Sequence, residues 1–442
     1  MKKVFIIGLV LNVLALQAQD YERLNERSPM GTARYVGMAG AMTAVGADPS
    51  AAADNPAGLG FYRHSELLFS IGGAFDRTCQ EGLTISGRKN KAIVPQASIV
   101  FAFGERFTDY GAISNAVMFS YRRTHDFSRR VHLVGIESPS LGHLLNEEGV
   151  NLGISYPTYP LNTGYDQLVF ESGAAHEYAF SWGMNIAHRW YVGLGLHIQS
   201  YLLSSDGDYY EYFPTLNPAG EYVDIKNESA FTLTGVGCNA AFGVIYRPSR
   251  WARVGLSLHT PSLGSVTIYT SGTFSSLTDT LRYCYARDMR ETYSDFHMPL
   301  RLSVGAAFTM GHYGIASVQY DYQHMFYSDD THAFRSGFEI TPVEGLYMNV
   351  GYAWETTFKH QTRALNLAPG FYRRDAYSSH WLSAHCASAG IGYRGKQFIV
   401  QAAYQYRWQS YNYHVHPDAY SQRVHADTHR FVITIGWHRA IL

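Results

Sequence analysis

"EYAFSWGMNIAHRWYVGLGLHIQSY", running from Glu177 to Tyr201, reads as two strands folded back on the two-residue turn His188-Arg189. Tyr178, Phe180, Trp182, Met184 and Ile186 alternate with Ala179, Ser181, Gly183, Asn185 and Ala187. One face is large and apolar, the other tiny or polar. Period two with unlike faces is the mark of a strand that separates two environments.

The pattern recurs along the chain. In "LRLSVGAAF", Leu300, Leu302, Val304, Ala306 and Phe308 oppose Arg301, Ser303, Gly305 and Ala307. In "FIVQAAYQYRW", Phe398, Val400, Ala402, Tyr404, Tyr406 and Trp408 oppose Ile399, Gln401, Ala403, Gln405 and Arg407. "IASVQYDYQ" sets Val318, Tyr320 and Tyr322 against Ser317, Gln319, Asp321 and Gln323, and the last strand turns Phe431, Ile433, Ile435 and Trp437 outward. A soluble sandwich would also wet such a face, so alternation by itself leaves both classes open. Strand lengths of about ten residues and aromatic ends on the apolar faces favour a membrane barrel.

Loop lengths separate the two. We expect strands at 66–75, 96–104, 113–123, 177–187, 190–202, 230–246, 251–260, 299–309, 314–324, 333–340, 346–355, 386–394, 397–408 and 430–438. Their connections alternate between short turns such as "HR", "RPSR" and "GK" and long stretches at 124–176, 203–229, 261–298, 356–385 and 409–429. Gathering every long loop at one end is the habit of an outer-membrane barrel. The expected fold is all-β: a 14-stranded antiparallel transmembrane barrel, even in strand number, with an N-terminal hatch, and a monomer.

The ends and the composition agree. Lys2 and Lys3 precede an apolar run from Val4 to Leu16 that is too short for a retained membrane helix, so residues 1–18 read as a signal peptide. Aromatic residues make up 15% of the chain and charged ones only 16%, with 41 glycines, which suits strands with interfacial aromatic belts. A net charge of −1 gives no basic field for nucleic acid. Cys79, Cys238, Cys284 and Cys386 form no C-x-x-C pair. Cys238 and Cys386 fall in expected strands, while Cys79 and Cys284 fall in expected loops, where they would be able to pair in an oxidising compartment.

Residues 19–64 precede the barrel, which takes up 65–442. "GTARYVGMAGAMTAVGADPSAAADNPAGLGF" is too apolar for a floppy tail and too irregular for a strand. A barrel of fourteen strands is wide enough to leave a channel unless something fills it. Small residues would let this segment pack against the Gly- and Ala-rich lumen faces. Asn55 before Pro56 favours a turn, where the Asn side chain bonds its own backbone.

"GMAGAMTAVGADPSAAADNPAGLG" resembles the N-terminal hatch of the FadL-type outer-membrane transporter family, with Asn55, Pro56, Ala57 and Gly58 matching its hatch motif. "FGVIYRPSRWARVGLSLHTPS" (242–262) and "HMPLRLSVGAAF" (297–308) resemble the family's mid-barrel hairpin and the strand entry after it. Hatch and short turns together are similar to family members from the Bacteroidota. The resemblance implies passive uptake of long-chain fatty acids or aromatic hydrocarbons across the outer membrane of a Gram-negative bacterium. Cargo would be caught by the outer loops and released sideways beside a kink in the third strand. Here that strand is "AISNAVMFSYRR", where Ser114 and Asn115 interrupt an apolar run.

Candidate capture residues are Leu141, Leu144, Leu145, Leu152 and Ile154, in the loop 138–161. Arg301, Gln319, Asp321, Gln401, Gln405 and Arg407 are candidate lumen residues, set either to meet a ligand headgroup or to bond the hatch. Expected partners are outer-membrane lipid and lipopolysaccharide, a hydrophobic small molecule, and the barrel-assembly machinery during biogenesis. Two alternatives remain at this point: a FadL-like barrel that shuttles protein cargo in type nine secretion, and haem as the cargo.

Other motifs carry little. Gly390-x-Gly392-x-x-Gly395 sits at a hairpin turn with no helix after it, so a dinucleotide site is not expected. His414, His416, His425 and His429 lack metal-site spacing, and no G-x-S-x-G elbow occurs. No cofactor, metal or catalytic residue is expected, and the chain does not read as an enzyme.

Overall fold

The computed structural model describes residues 27–82, 86–103, 111–136, 164–212, 224–277, 282–297, 299–324, 330–356, 383–414 and 422–440, and short pieces at 365–366, 372–373, 376–377 and 420. We number the barrel strands in chain order. β1 is His64–Gln80, β2 Ser86–Phe103, and β3 Ala112–Asp126 with an outer section Arg129–Gly135. β4 is Gly164–Ile186, β5 Trp190–Tyr212 and β6 Asp224–Tyr246. β7 is Ala252–His259 with an outer section Leu263–Leu277, and β8 is Leu300–Thr309 preceded by its outer section Arg282–His297. β9 to β14 are Gly314–His324, Thr331–Val343, Leu346–Thr356, Ser383–Arg394, Phe398–His414 and Gln422–Ala440. Each pairs antiparallel with the next, and β14 closes on β1 from His64↔Ala440 to Gln80↔Val424, giving a closed 14-stranded barrel.

The faces follow the side-chain alternation. Leu67, Phe69 and Ile71 on β1, Leu194, Leu196 and Ile198 on β5, and Ile433 and Ile435 on β14 stand exposed on the outside. In water such a belt would be a liability; in lipid it is the condition for spanning. Trp190, Trp251 and Trp437 mark its border at the short turns. Its far border carries cross-strand Tyr–His pairs: Tyr121–His176 at 2.9 Å, and Tyr320–His332, Tyr352–His385 and Tyr404–His429 at 2.7 Å each. From Trp437 to His429 is about 26 Å along the strand, close to the height of a barrel's apolar band.

The strands run past that border. β4, β5 and β6 are each 23 residues long, roughly 75 Å, so one side of the barrel stands far taller than the membrane needs. Much of what reads as long loop at 124–176, 203–229 and 261–298 is therefore strand, and so are the backbones at Cys79 and Cys284. Beyond the lipid both faces of a strand are wet, so the alternation that marks a strand fades. Prolines break the tall strands where they leave the barrel: Pro261 between the two sections of β7, and Pro299 just before β8, because proline cannot donate to the ladder. Cys79, Cys238 and Cys386 are free thiols, and the Cys284 side chain lies outside the described residues.

Residues 28–62 lie inside the barrel and almost all are buried. Two short helices, α1 (Ala33–Gly37) and α2 (Pro49–Asp54), and a 3-10 turn (Pro56–Phe61) replace the irregular segment expected there. They are too short to show a helical period, and caps hold them instead. Thr32 accepts from Tyr35 N, Asp48 from Ser50 N and Ala51 N, and Asn55 from Ala57 N.

Candidate functional site: the filled lumen and the break in the wall

Close approach of the N-terminal segment to the wall needs a wall without side chains. Gly183, Gly193 and Gly243 lie side by side on β4, β5 and β6, and Gly255 pairs with Gly305, and Gly337 with Gly351. A Cβ on Gly193 would stand 2.3 Å from the Pro56 carbonyl carbon, and one on Gly351 2.4 Å from that of Met38. The tiny inner face of the alternation is thus a seat for the backbone of the inner segment.

Polar anchors fix it in that seat. Arg34 donates two bonds of 2.8 Å to Glu339 on β10. Asp54 accepts from Arg122 on β3 at 2.8 Å, and Arg122 also reaches Glu177 on β4 at 2.7 Å. Arg27 pairs with the same Glu177 at 2.7 Å. Burial alone would raise the Asp54 carboxyl, but Arg122 and Arg27 beside it hold it well below the usual carboxylate range.

The hatch-motif residues lie together against the wall. Asn55 Oδ1 accepts from Ala57 N at 3.1 Å, its Nδ2 donates to Thr43 O at 2.8 Å, and Pro56, Ala57 and Gly58 are buried. Of the lumen candidates, Gln319 accepts from Thr43 N at 2.9 Å, Gln401 from Arg34 N at 3.2 Å, and Gln405 donates to Pro29 O at 3.1 Å. Asp321 pairs with Arg335 at 2.9 Å, Arg407 stands 3.9 Å from Glu355, and Arg301 bonds the His259 ring at 2.8 Å. Leu141, Leu144, Leu145, Leu152 and Ile154 lie outside the described residues.

The wall is not continuous. β2 pairs with β3 only from Gln96↔Arg122 to Phe103↔Asn115; its outer half pairs with β1 alone. The parting begins beside Pro95, within a bulge against β1, and β3 adds its own register shift at Arg123/His125. The outer section of β3 then pairs with β4 and turns in over β1, where Thr78 Oγ1 donates to Arg130 O at 2.5 Å and Gln80 Nε2 to Val134 O at 2.7 Å. Side chains span the missing ladder: Lys91 bonds Asp126 and Ser128, and Lys89 reaches Glu171 O. Ser114 and Asn115 are at the other end of β3: a second register shift against β4 lies between Ala112 and Ser114, Ser114 Oγ donates to Gly60 O at 3.4 Å, and Asn115 is paired on both sides.

Beside the break sits an apolar cluster on the inner face of the tall wall. Phe127, between the two sections of β3, packs with Ala175, Tyr201, Leu203, Phe231, Leu233 and Val266. Sequence reasoning missed it because its members come from four strands and the link between the two sections of β3. Among the described residues no group of three His, Cys, Asp or Glu side chains is placed to hold a metal.

These features define a closed transmembrane β-barrel whose interior is occupied and whose wall is interrupted at one strand. The chain shares its fold with FadL-type outer-membrane channels. A Pseudomonas aeruginosa FadL homologue matches with a TM-score of 0.59 and 12% identity, over 93% of this chain and 99% of its own. The P. putida toluene transporter TodX matches at 0.56 and 12%, over 94% and 100%. The Ralstonia pickettii toluene transporter TbuX matches at 0.51 and 13%, over 92% and 98%. No family model and no curated protein matches the chain.

Proposed function

We propose that this barrel is an outer-membrane channel for passive uptake of hydrophobic small molecules, and not an enzyme. The observation that carries the reading is the parting of β2 from β3 next to the apolar cluster at Phe127. An apolar molecule is stabilised by about 25 cal/mol for each Å² it keeps from water, so an opening at the outer edge of the lipid belt, one residue past Tyr121, spares it a costly aqueous path. Residues 27–63 act as the hatch: their Gly-seated, ion-paired packing closes the straight route to ions and leaves the side route beside Phe127. On this reading the long loops face outward and the short turns face the periplasm. The fold shared with two toluene transporters supports a hydrocarbon-like cargo.

The test is uptake of radiolabelled toluene and oleate by cells that depend on this channel. Lys91→Cys and Asp126→Cys place thiols on the two sides of the break, and a short bismaleimide joins them. Uptake should drop to the level of channel-free cells after cross-linking and stay normal in either single variant. Unchanged uptake in the cross-linked protein sinks the lateral route, and no uptake by the native chain sinks the channel reading.

A further inference from the structure

At the short-turn end, beneath the hatch, lies a cavity of about 390 Å³ that no step above uses. Its walls come from the end of the hatch (Phe61), the turns at His188, Arg247 and His312, and the feet of β5 (Tyr191) and β7 (Arg253). Its size is within the range of small-molecule sites.

Its charge is one-sided. The one carboxylate on its wall, Glu339, is already held by two bonds from Arg34. Among the described residues the Arg247 guanidinium donates only to the Arg250 carbonyl at 3.4 Å and the Arg253 guanidinium only to the Val45 carbonyl at 2.8 Å, and neither has an acidic partner. The Arg253 Nε is buried with no hydrogen-bond partner at all. Arg253 is half-buried, and a guanidinium held there without a counter-charge has charge and donors to offer an anion brought into the cavity. Beside the cations is an apolar wall: the Phe61 and Tyr191 rings stack 3.9 Å apart, and the Arg253 guanidinium lies 4.5 Å over Phe61.

We propose that this cavity binds an anionic amphiphile of the carboxylate or phosphate class, its head on Arg253 and Arg247 and its apolar body along Phe61 and Tyr191. Planar guanidiniums suit both head groups, by paired N–H donors. The site is at the far side of the hatch from the tall wall and stands whether or not the barrel transports. Uptake of uncharged toluene, measured on the same protein, reports the channel reading separately.

The test is calorimetric titration of the purified full-length barrel in non-ionic detergent with octanoate, octyl phosphate and inorganic phosphate. Both amphiphiles should bind about tenfold or more tightly than inorganic phosphate, and Arg247→Gln should weaken them about tenfold. Arg253→Gln should do so further, but it also loses a bond to the hatch, so Arg247→Gln, which touches no hatch residue, is the deciding variant. Arg250→Gln, an exposed neighbour in the same turn, should bind as the native chain does. Absence of binding, equal binding of inorganic phosphate and the amphiphiles, or unchanged binding in Arg247→Gln each overturns the proposal.

Discussion

Arg122 of β3 holds Asp54 of the inner segment at 2.8 Å and Glu177 of β4 at 2.7 Å, so one buried guanidinium ties that segment to two neighbouring strands. Removing it would leave two carboxylates buried without their main counter-charge. Breaking a buried pair from one side costs about 3–5 kcal/mol, and here the cost falls on hatch seating, because the strand ladders remain. Arg122→Met should therefore raise single-channel conductance in planar bilayers while the barrel keeps its folded migration in unheated gels. Conductance equal to that of the native chain would show that the hatch stays closed without this tie.

The same pair sets an acid limit. Asp54 has its folded value below its unfolded one, so its ionisation stabilises the seated hatch above the unfolded value, near pH 4. That contribution shrinks progressively as the pH falls from the unfolded value and is gone once it has passed through the depressed folded value. Conductance should accordingly stay low from pH 7 to about pH 4 and rise below that, and Asp54→Asn should abolish the step. A rise already complete at pH 5 would assign the opening to another group.

The glycine seat makes a sharper prediction. A side chain at position 193 would meet the backbone of Pro56 and Ala57, which has no rotamer with which to yield. Gly193→Leu should unseat the hatch and open the pore. Gly237→Ala is the control: its Cβ would find its nearest neighbour 3.4 Å away, an ordinary contact, and the channel should stay closed. Equal conductance in the two variants would sink the seat.

The strand faces could be read from the sequence because lipid and a packed lumen impose unlike demands on alternate residues, as Phe180 and Ser181 show. The tall wall could not: "SSDGDYYEY" (204–212) leaves the lipid, and its polar and aromatic residues keep no apolar face. Pro95 signals where β2 parts from β3, yet in the sequence it reads only as a strand boundary. The anchors Arg122, Glu177 and Arg27 were hidden by separation, since Arg27 and Glu177 stand 150 residues apart in the chain. Alternation marks which residues face inward, but not which of them meet across a lumen.

Whether the apolar cluster lines the route depends on what replaces Leu203 and Leu233, both fully buried in the inner face of the tall wall. Truncating a buried leucine to alanine costs about 2–5 kcal/mol and leaves a cavity lined by its neighbours. If cargo passes here, Leu203→Ala/Leu233→Ala should admit bulkier hydrocarbons, seen as faster uptake of naphthalene relative to toluene. Leu203→Asp would put a charge on that path, and it should suppress uptake of both while ionic conductance stays at the native level. The two variants move uptake in opposite senses without touching the hatch, so a general loss of folding cannot imitate the pair. Uptake of both hydrocarbons at native rates in Leu203→Asp would mean that cargo reaches the break between β2 and β3 by a path that avoids the cluster.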